Sequence, residues 1–381
     1  MGKETNPFVV KGKIEPKYFC DREAETARLT KSISNGNNIV LISPRRMGKT
    51  GLIEHSFDQP ELNDYYTFFI DILHTTSLRE FTYIFGKEVF DKLLPKGKKM
   101  VKTLIQTMKS ISGSFGIDPT TGEPSFNLQL GDITTPEYTL EEIFKCLENG
   151  GHPCLVAIDE FQQITNYSEK NIEAILRTHI QRLGNTSFIF AGSERHIMQE
   201  MFLTSARPFY YSAELMELGP IEKGVYVDFI VKNFEENKRK IDQETAEKVY
   251  DLFAGHTFYI QKTFNEAFSN TKKGDFCTME TIKEAIETLL ETYAPFFKQT
   301  LSEILEKQKQ LLYAIALDGE AEGITSSTFI KRHSLDSASS VQAATKRLLE
   351  KDLLTKEDKI YRLTDRLFTL WIKRLHGKDL F

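Results

Sequence analysis

Four polar side chains in two separate segments carry the chemistry that this sequence suggests most directly. Lys49 and Thr50 end the segment Ser43-Pro-Arg-Arg-Met-Gly-Lys-Thr, and Asp159 and Glu160 follow the apolar run Leu155-Val-Ala-Ile. A Gly-Lys-Thr sequence that opens a helix binds phosphate groups, because its backbone N–H groups and the helix dipole favour an anion. Two carboxylates after an apolar strand suit magnesium binding and water activation. The two segments together therefore predict a site for a nucleoside triphosphate.

The first segment predicts a phosphate-binding loop, or P-loop. Its nucleotide-contacting residues would be Pro44, Arg45, Arg46, Met47, Gly48, Lys49, Thr50 and Gly51. Lys49 would reach the β and γ phosphates, and the Thr50 hydroxyl would contact Mg²⁺. The full pattern has glycine where Ser43 stands, so the prediction also depends on context. That context is favourable, because the segment lies between a buried strand and a helical segment.

The second segment places two carboxylates where a parallel sheet binds its ligands, at the carboxyl end of a strand. Asp159 would hold magnesium, directly or through water, and Glu160 would polarise the attacking water. In isolation, Asp-Glu after an apolar run is more often a solvated acidic turn. The P-loop segment upstream favours the catalytic interpretation.

Short apolar runs separated by helix-length segments predict a doubly wound α/β domain. The runs cover residues 38–43, 66–71, 154–159 and 187–192. We expect a P-loop NTPase with a parallel sheet of the ASCE type, in which an additional strand lies beside the P-loop strand. This domain would span residues 1–219, with an insertion at about 96–136 that forms a hairpin or a mobile loop. A helical lid domain would follow at 220–306.

The last segment, 307–381, predicts a winged helix-turn-helix. Helices are expected to Leu317, over 326–333 and over 337–349, and β-like stretches at 353–355 and 360–363 flank a charged turn at 356–359. From Thr325 to the end there are 12 Lys or Arg and 7 Asp or Glu. Contact with DNA phosphates would involve Lys331, Arg332, Lys346, Arg347, Lys356 and Lys359. The recognition helix has few base-reading side chains, so a protein partner or a structural role is equally open.

Composition excludes few function classes but sets the context. The 381 residues carry a formal charge of −5, so any basic surface must be local. The four cysteines lack zinc-binding spacing, and we expect reduced thiols. No apolar run approaches the roughly 18 residues of a membrane span. We therefore expect a cytoplasmic protein that does not associate with membranes.

Several motifs in order make the sequence resemble the archaeal-type ATPases of the STAND class, which are related to AAA+ and NB-ARC proteins. The resemblance covers about residues 7–265. It depends on five segments, at residues 19–25, 44–50, 158–160, 191–193 and 255–261. It implies binding of ATP or ADP with Mg²⁺, ATP hydrolysis, and assembly into a homo-oligomer.

The resemblance also implies roles for residues outside the P-loop. Phe19 and Arg22 would pack against the adenine, although Asp21 stands where the family usually has glycine. The same segment also reads as a helix start that Asp21 caps, and both interpretations can hold together. Arg45 and Arg46 resemble paired arginines that contact phosphate or a neighbouring subunit. Alternatively, they pair with surface carboxylates.

Four further residues are predicted near the nucleotide, and two of them have an alternative role. Ser193 would sense the γ-phosphate or cap the following helix. Arg207 would act as an arginine finger or be a solvated charge. Pro220 would lie near the nucleotide. His256 would sense it from the lid, although Thr257 replaces the usual proline.

Three functions follow from these predictions. The first is a regulatory ATPase switch whose domains rearrange with the nucleotide. The second is an ATP-gated DNA-binding protein of the replication-initiator type. A P-loop kinase is the third, and it fits less well because the Asp-Glu pair suits hydrolysis better.

Overall fold

The computed structural model describes residues 5–94, 98–117 and 124–380, in two compact units. The sheet unit contains the described residues of 13–16 and 22–219. The helical unit contains residues 5–12, 17–21 and 220–380. The predicted boundary at residue 219 had placed the whole N-terminal segment in the first domain. Instead, Phe8 is fully buried in the helical unit, with ring centroids 5.5 Å from those of Phe234 and Phe264.

A five-stranded parallel sheet forms the centre of the sheet unit. The strands of this unit are β1 (Ile39–Ile42), β2 (Tyr66–Asp71), β3 (Phe115–Ile117), β4 (Pro124–Phe126), β5 (Cys154–Asp159), β6 (Thr186–Gly192) and β7 (Glu214–Glu217). The central sheet has the order β2-β5-β6-β1-β7. The additional strand β6 thus lies between the P-loop strand β1 and the Asp-Glu strand β5, which confirms the predicted ASCE-type fold.

Burial explains which strands the sequence revealed. Every residue of β1, β5 and β6 is buried, as expected for strands covered on both faces. Strand β7 was not predicted, because this edge strand of four residues begins and ends with glutamate. The helices of the unit are α1 (Glu23–Ser34), α2 (Lys49–Phe57), α3 (Leu78–Leu93), α4 (Lys98–Thr107), α5 (Pro136–Glu148), α6 (Ile172–Ile180) and α7 (Arg195–Leu203).

The predicted insertion contains helix α4 and the antiparallel pair of β3 and β4. Phe126 of β4 lies against Phe90 of α3 and against Phe115, with ring centroids 4.7 and 4.9 Å away. The insertion is therefore anchored to the sheet unit by aromatic packing. The part of the predicted hairpin or loop at residues 118–123 lies outside the described residues, as do 95–97.

The helical unit has one continuous apolar core. Its helices are α8 (Lys223–Glu236), α9 (Gln243–Leu252), α10 (Thr257–Asn270), α11 (Met279–Ser302), α12 (Glu306–Asp318), α13 (Ser327–Arg332), α14 (Ala338–Glu350) and α15 (Arg366–Leu375). Phe297 of α11 stacks on Phe368 of α15 with ring centroids 4.8 Å apart. The segments predicted as separate lid and winged-helix domains, at 220–306 and 307–381, thus share a core.

The C-terminal segment has the predicted winged-helix elements. Strands β8 (Ala321–Glu322), β9 (Leu354–Glu357) and β10 (Ile360–Leu363) form a sheet in the order β8-β10-β9. The turn between β9 and β10 is shorter than predicted, since Lys356 belongs to β9 and only Asp358 and Lys359 form the turn. Strand β8 and helix α15 were not predicted. Within the described part of the chain, no helix is long and apolar enough to cross a membrane.

Candidate nucleotide site

The register of the sheet brings the ends of β1, β5 and β6 to one edge. Ile42 of β1 lies opposite Gly192 of β6, and Ile158 of β5 lies opposite Phe190. The buried Ser43 continues the pairing, because its N–H donates to the Gly192 carbonyl at 3.1 Å. Ser43 therefore acts as the last sheet residue, and the loop begins at Pro44.

The loop between β1 and α2 has the backbone that a helix-terminal anion site requires. Gly48 precedes α2 at φ 93°, a left-handed conformation that favours glycine, and no side chain caps the helix. Arg46 is also left-handed, at φ 69°. Pro44, Arg45 and Arg46 are exposed, whereas Met47 is buried and anchors the loop. Gly51 lies in the first turn of α2. The start of α2 thus faces outward from a fixed loop.

Lys49 is buried and paired with both carboxylates of the Asp-Glu segment. Its Nζ lies 2.6 Å from Asp159 Oδ1 and 3.1 Å from Glu160 Oε1, and its side chain is 8% exposed. The Thr50 hydroxyl donates to Asp159 Oδ2 at 3.1 Å. Because a buried ammonium needs anionic partners, the two carboxylates hold Lys49 at the end of the sheet. Residues predicted from two distant segments therefore meet.

Glu160 receives hydrogen bonds on both carboxylate oxygens. Oε1 accepts from Lys49, while Oε2 accepts from Ser193 Oγ at 2.7 Å and from Gln162 Nε2 at 2.6 Å. Burial alone would raise the pKa of Glu160. The charge of Lys49 and the hydrogen bonds from Ser193, Gln162 and Lys49 outweigh burial and lower this pKa below its ordinary value. Glu160 is therefore ionised at neutral pH.

The position of Ser193 distinguishes between its two predicted roles. Helix α7 starts after Glu194, which occupies the N-cap position, and no side chain caps the helix. The capping interpretation of Ser193 is therefore wrong. Its hydroxyl instead contacts Glu160 and lies 3.4 Å from Arg45 Nε, which places it between the P-loop and the Asp-Glu segment.

The structure contradicts one of the two interpretations of the segment before α1. Arg22, at φ 70°, holds the N-cap position that was predicted for Asp21, so the Asp21 cap is wrong. The Arg22 guanidinium is buried and donates to Glu25 Oε1 and to the Gly219 carbonyl, each at 2.6 Å. Arg22 therefore joins the start of the sheet unit to its end. Phe19, the other predicted adenine contact, is half-buried within the helical unit.

Arg207 contacts acidic side chains on two helices. It lies 2.7 Å from Glu173 of α6 and 3.7 Å from Glu200 of α7. Burial raises the pKa of Glu173, and the positive charge of Arg207 opposes that rise. Arg207 is 29% exposed and ion-paired, so it is not the solvated loop charge of the simpler interpretation.

Two predicted residues of the helical unit lie on either side of a close backbone approach. A Cβ added to Gly255, at φ 75°, would lie 2.5 Å from Pro220 Cβ, so only glycine fits there. His256 follows as the N-cap residue of α10, and its ring centroid is 6.3 Å from that of Tyr259. Pro220 and the predicted lid motif are therefore neighbours.

Three of the six predicted DNA-contacting cations of the winged helix are paired with acids. Arg347 lies 2.9 Å from Glu350 and Lys346 4.0 Å from it, while Arg332 pairs with Asp318. These pairs are exposed and contribute little stability, so a phosphate could replace the carboxylates.

Gln162 was not among the predicted site residues. This side chain is 2% exposed and donates to Glu160. The available signal was an amide two residues after the predicted catalytic carboxylate, in Asp-Glu-Phe-Gln.

Oxygen atoms at the site suit magnesium. The Thr50 hydroxyl and the Asp159 carboxylate are neighbours, and both are ligands that this hard cation prefers. The described residues contain no group of three or more His, Cys, Asp or Glu that would bind a metal by itself. Magnesium would thus need further ligands from phosphate and water, as is usual for this ion.

The family comparison decides the class of the protein. Residues 19–263 match the family described as an ATPase domain predominantly from Archaea. The chain belongs to this ATPase family. It is therefore an ATP-binding, ATP-hydrolysing enzyme. Residues 295–374 of the ATPase also match a probable winged helix domain.

Solved structures share the fold of the ATPase at low sequence identity. A Walker-type ATPase of Pyrococcus abyssi is 19% identical, with a TM-score of 0.66, over 96% of this chain and 99% of the other. The ORC2 protein of Aeropyrum pernix, in ADPNP-ADP complexes, is 12% identical over 99% of both chains, with a TM-score of 0.62. The ORC1 protein of Aeropyrum pernix, in complex with DNA, is 13% identical over 97% and 96%, with a TM-score of 0.50. A comparison with curated protein sequences gave no significant match.

Proposed function

We propose that this ATPase is a nucleotide-dependent regulatory switch of the STAND type. The observation that carries the proposal is the cluster of Lys49, Asp159 and Glu160 at the end of the parallel sheet. A buried lysine held by two carboxylates can exchange them for the phosphates of ATP. Nucleotide binding would thereby change the contacts of the Asp-Glu segment, which is the local event a switch needs.

The other P-loop residues complete the proposed binding site. Backbone groups of the loop and the start of α2 would receive the phosphates, with Arg45 and Arg46 adding positive charge. Thr50 and Asp159 would hold Mg²⁺, which would neutralise charge on the phosphate oxygens. Phe19, Arg22, Pro220 and His256 are proposed to contact the nucleotide on the basis of the family resemblance.

For hydrolysis we assign the role of general base to Glu160. Its carboxylate is ionised and fixed by hydrogen bonds, so it can accept a proton from water as the water oxygen attacks the γ-phosphorus. Ser193, beside both the P-loop and Glu160, is proposed to sense the γ-phosphate. Arg207 is proposed as a finger only if it leaves Glu173 and Glu200. Rearrangement of the domains and assembly of a homo-oligomer would transmit the nucleotide state.

The test measures magnesium-dependent ATP binding and turnover for the wild type, Lys49→Ala and Glu160→Gln. Loss of binding in the first variant, and loss of turnover with retained binding in the second, would support these assignments. Lys145→Ala, which removes an exposed lysine paired with Glu141, is the matched control for the first variant. Normal turnover in Glu160→Gln would exclude Glu160 as the base.

DNA binding gated by ATP is the second candidate function. It is favoured by the winged helix match and by the basic balance of residues 325–381. The same assay with duplex DNA distinguishes the two. ATP-dependent DNA affinity that falls steeply with salt would favour the initiator-type function. If DNA changes neither turnover nor assembly, a protein is the remaining candidate partner for the winged helix.

A further inference from the structure

We propose that Gln162 is the positioning residue that holds Glu160 in its catalytic orientation while ATP is bound. The proposal rests on the role of Glu160 as general base and adds a residue that neither the motifs nor the family resemblance assign. Gln162 lies in the turn after β5, and its amide nitrogen is 2.6 Å from Glu160 Oε2. Gln162 would act through Glu160 without touching the nucleotide.

The two oxygens of Glu160 are held by donors of different kinds. Oε1 is held by Lys49, whereas Oε2 is held by Ser193 and Gln162. When Lys49 turns to the phosphates, Oε1 loses its donor and becomes able to accept a proton. The water proton then moves to Oε1, the water oxygen bonds to the γ-phosphorus, and the bond from phosphorus to the ADP oxygen breaks. The fixed Oε2 determines where Oε1 points.

Of the two donors to Glu160 Oε2, Ser193 also has a proposed phosphate contact, whereas Gln162 does not. The Ser193 hydroxyl has a single proton, so it can donate to Glu160 or to a γ-phosphate oxygen, but not to both. If Ser193 senses the phosphate, it must leave Glu160 in the ATP-bound state. The Gln162 amide then remains as the donor that keeps the carboxylate in place.

The surroundings of Gln162 fix its amide in this orientation. Its Oε1 is buried and has no hydrogen-bond partner among the described residues, which costs free energy. Turning the amide over would face this oxygen toward the Glu160 carboxylate, where two acceptors would repel. A Cβ on Gly192 would lie 2.6 Å from Gln162 Oε1 and from Met198. The absence of a side chain at Gly192 therefore leaves room for the Gln162 amide. A methionine at position 162 would avoid the unpartnered oxygen, so stability alone does not explain the glutamine.

The experiment compares Gln162→Met with the matched control Gln163→Met in the full chain. Gln163 lies in the same turn, but its amide donates to the Thr75 carbonyl at 2.9 Å. Gln162→Met should bind ATP with wild-type affinity and unfold no more easily, while kcat falls by roughly tenfold or more because the base is misplaced. The loss should appear in kcat while the KM for ATP stays at its wild-type value, because Gln162 acts on the base and not on the nucleotide. Gln163→Met should keep both the wild-type kcat and the wild-type KM.

A double variant separates this proposal from the assignment of Glu160. If Glu160→Gln loses turnover and the addition of Gln162→Met has no further effect, the two residues act together as proposed. Wild-type kcat in Gln162→Met, or a loss of ATP affinity as large as the loss of kcat, would overturn the positioning role while leaving Glu160 as base. Normal turnover in Glu160→Gln, or none in the wild type, would overturn both. If Gln162→Met does not fold, Gln162→Asn, whose amide is one methylene short of Glu160, replaces it with the same expected results.

Discussion

Lys49 and Lys346 both lie beside glutamates, but their surroundings differ. The side chain of Lys49 is 8% exposed and contacts two carboxylates that are also largely buried. The side chain of Lys346 is 79% exposed and lies 4.0 Å from Glu350 on the surface of α14. Water screens the second pair and barely reaches the first, so the same pair of charges has a much larger energetic weight at the sheet edge.

The comparison is informative about function as well as stability. Buried charges that must be paired leave few arrangements open, so a ligand that replaces one partner changes the whole group. Exposed pairs can exchange partners with little consequence. The nucleotide site is therefore expected to respond strongly to single substitutions, and the winged-helix surface weakly.

The largest effect is expected for Lys49→Met. The variant keeps the apolar stem but loses the ammonium, and ATP affinity should fall roughly 100-fold, or about 2.8 kcal/mol. Isothermal titration calorimetry with Mg-ATP measures the change. Lys145→Met, which removes an exposed lysine 2.7 Å from Glu141, should keep its affinity. Wild-type affinity in Lys49→Met would mean that the phosphates bind elsewhere.

Arg207→Met should lower the free energy of unfolding by about 2 kcal/mol, because it leaves the half-buried Glu173 without its cation. Urea denaturation measures this change, and Glu173→Gln in the same chain should restore part of it. Arg195→Met, which breaks an exposed pair with Glu217, is the control, with an expected change below about 1 kcal/mol. Unchanged stability with a large loss of kcat would instead identify Arg207 as a finger.

The pH dependence of stability sharpens the comparison at Glu160. Its pKa is lowered in the folded protein from an ordinary value of 4.5, so the folded state favours the ionised form. The resulting stability is present above pH 4.5 and is lost as the pH falls through the lower folded value. The wild type should therefore have a higher free energy of unfolding than Glu160→Gln at neutral pH, and this difference should become smaller in acid. Chemical denaturation across this pH range measures it. Glu61→Gln, at an exposed position, is the control variant.

Strands that are buried on both faces were the easiest elements to predict from the sequence. The run from Cys154 to Asp159 is apolar up to its last residue and could be placed to the residue as a strand. The carboxyl ends of parallel strands meet at one edge of the sheet by geometry. The meeting of Lys49, Glu160 and Ser193 follows from that rule. Strand β7 was missed because this short edge strand begins and ends with glutamate and so gives no apolar run.

Side-chain partners were less predictable than backbone positions. Gln162 gave no motif signal, since its role depends on the space left by Gly192 in another strand. Arg207 looked like a loop cation, and only the fold brings Glu173 and Glu200 to it. The N-cap of α1 was assigned by residue preference to Asp21, whereas the ties of Arg22 to Glu25 and Gly219 accompany its place at that position.

The smallest effect is expected on the winged helix, for the double variant Lys346→Gln and Arg347→Gln. Both pairs with Glu350 are exposed, so the free energy of unfolding should change by less than about 1 kcal/mol. Urea denaturation measures it, beside Lys307→Gln, which breaks another exposed pair, with Asp336. A decrease in the free energy of unfolding as large as that of Arg207→Met would show that exposure does not determine how much these ion pairs contribute to stability. A small loss would leave Lys346 and Arg347 available to a partner's phosphates or carboxylates, because replacing a weak pair requires little free energy.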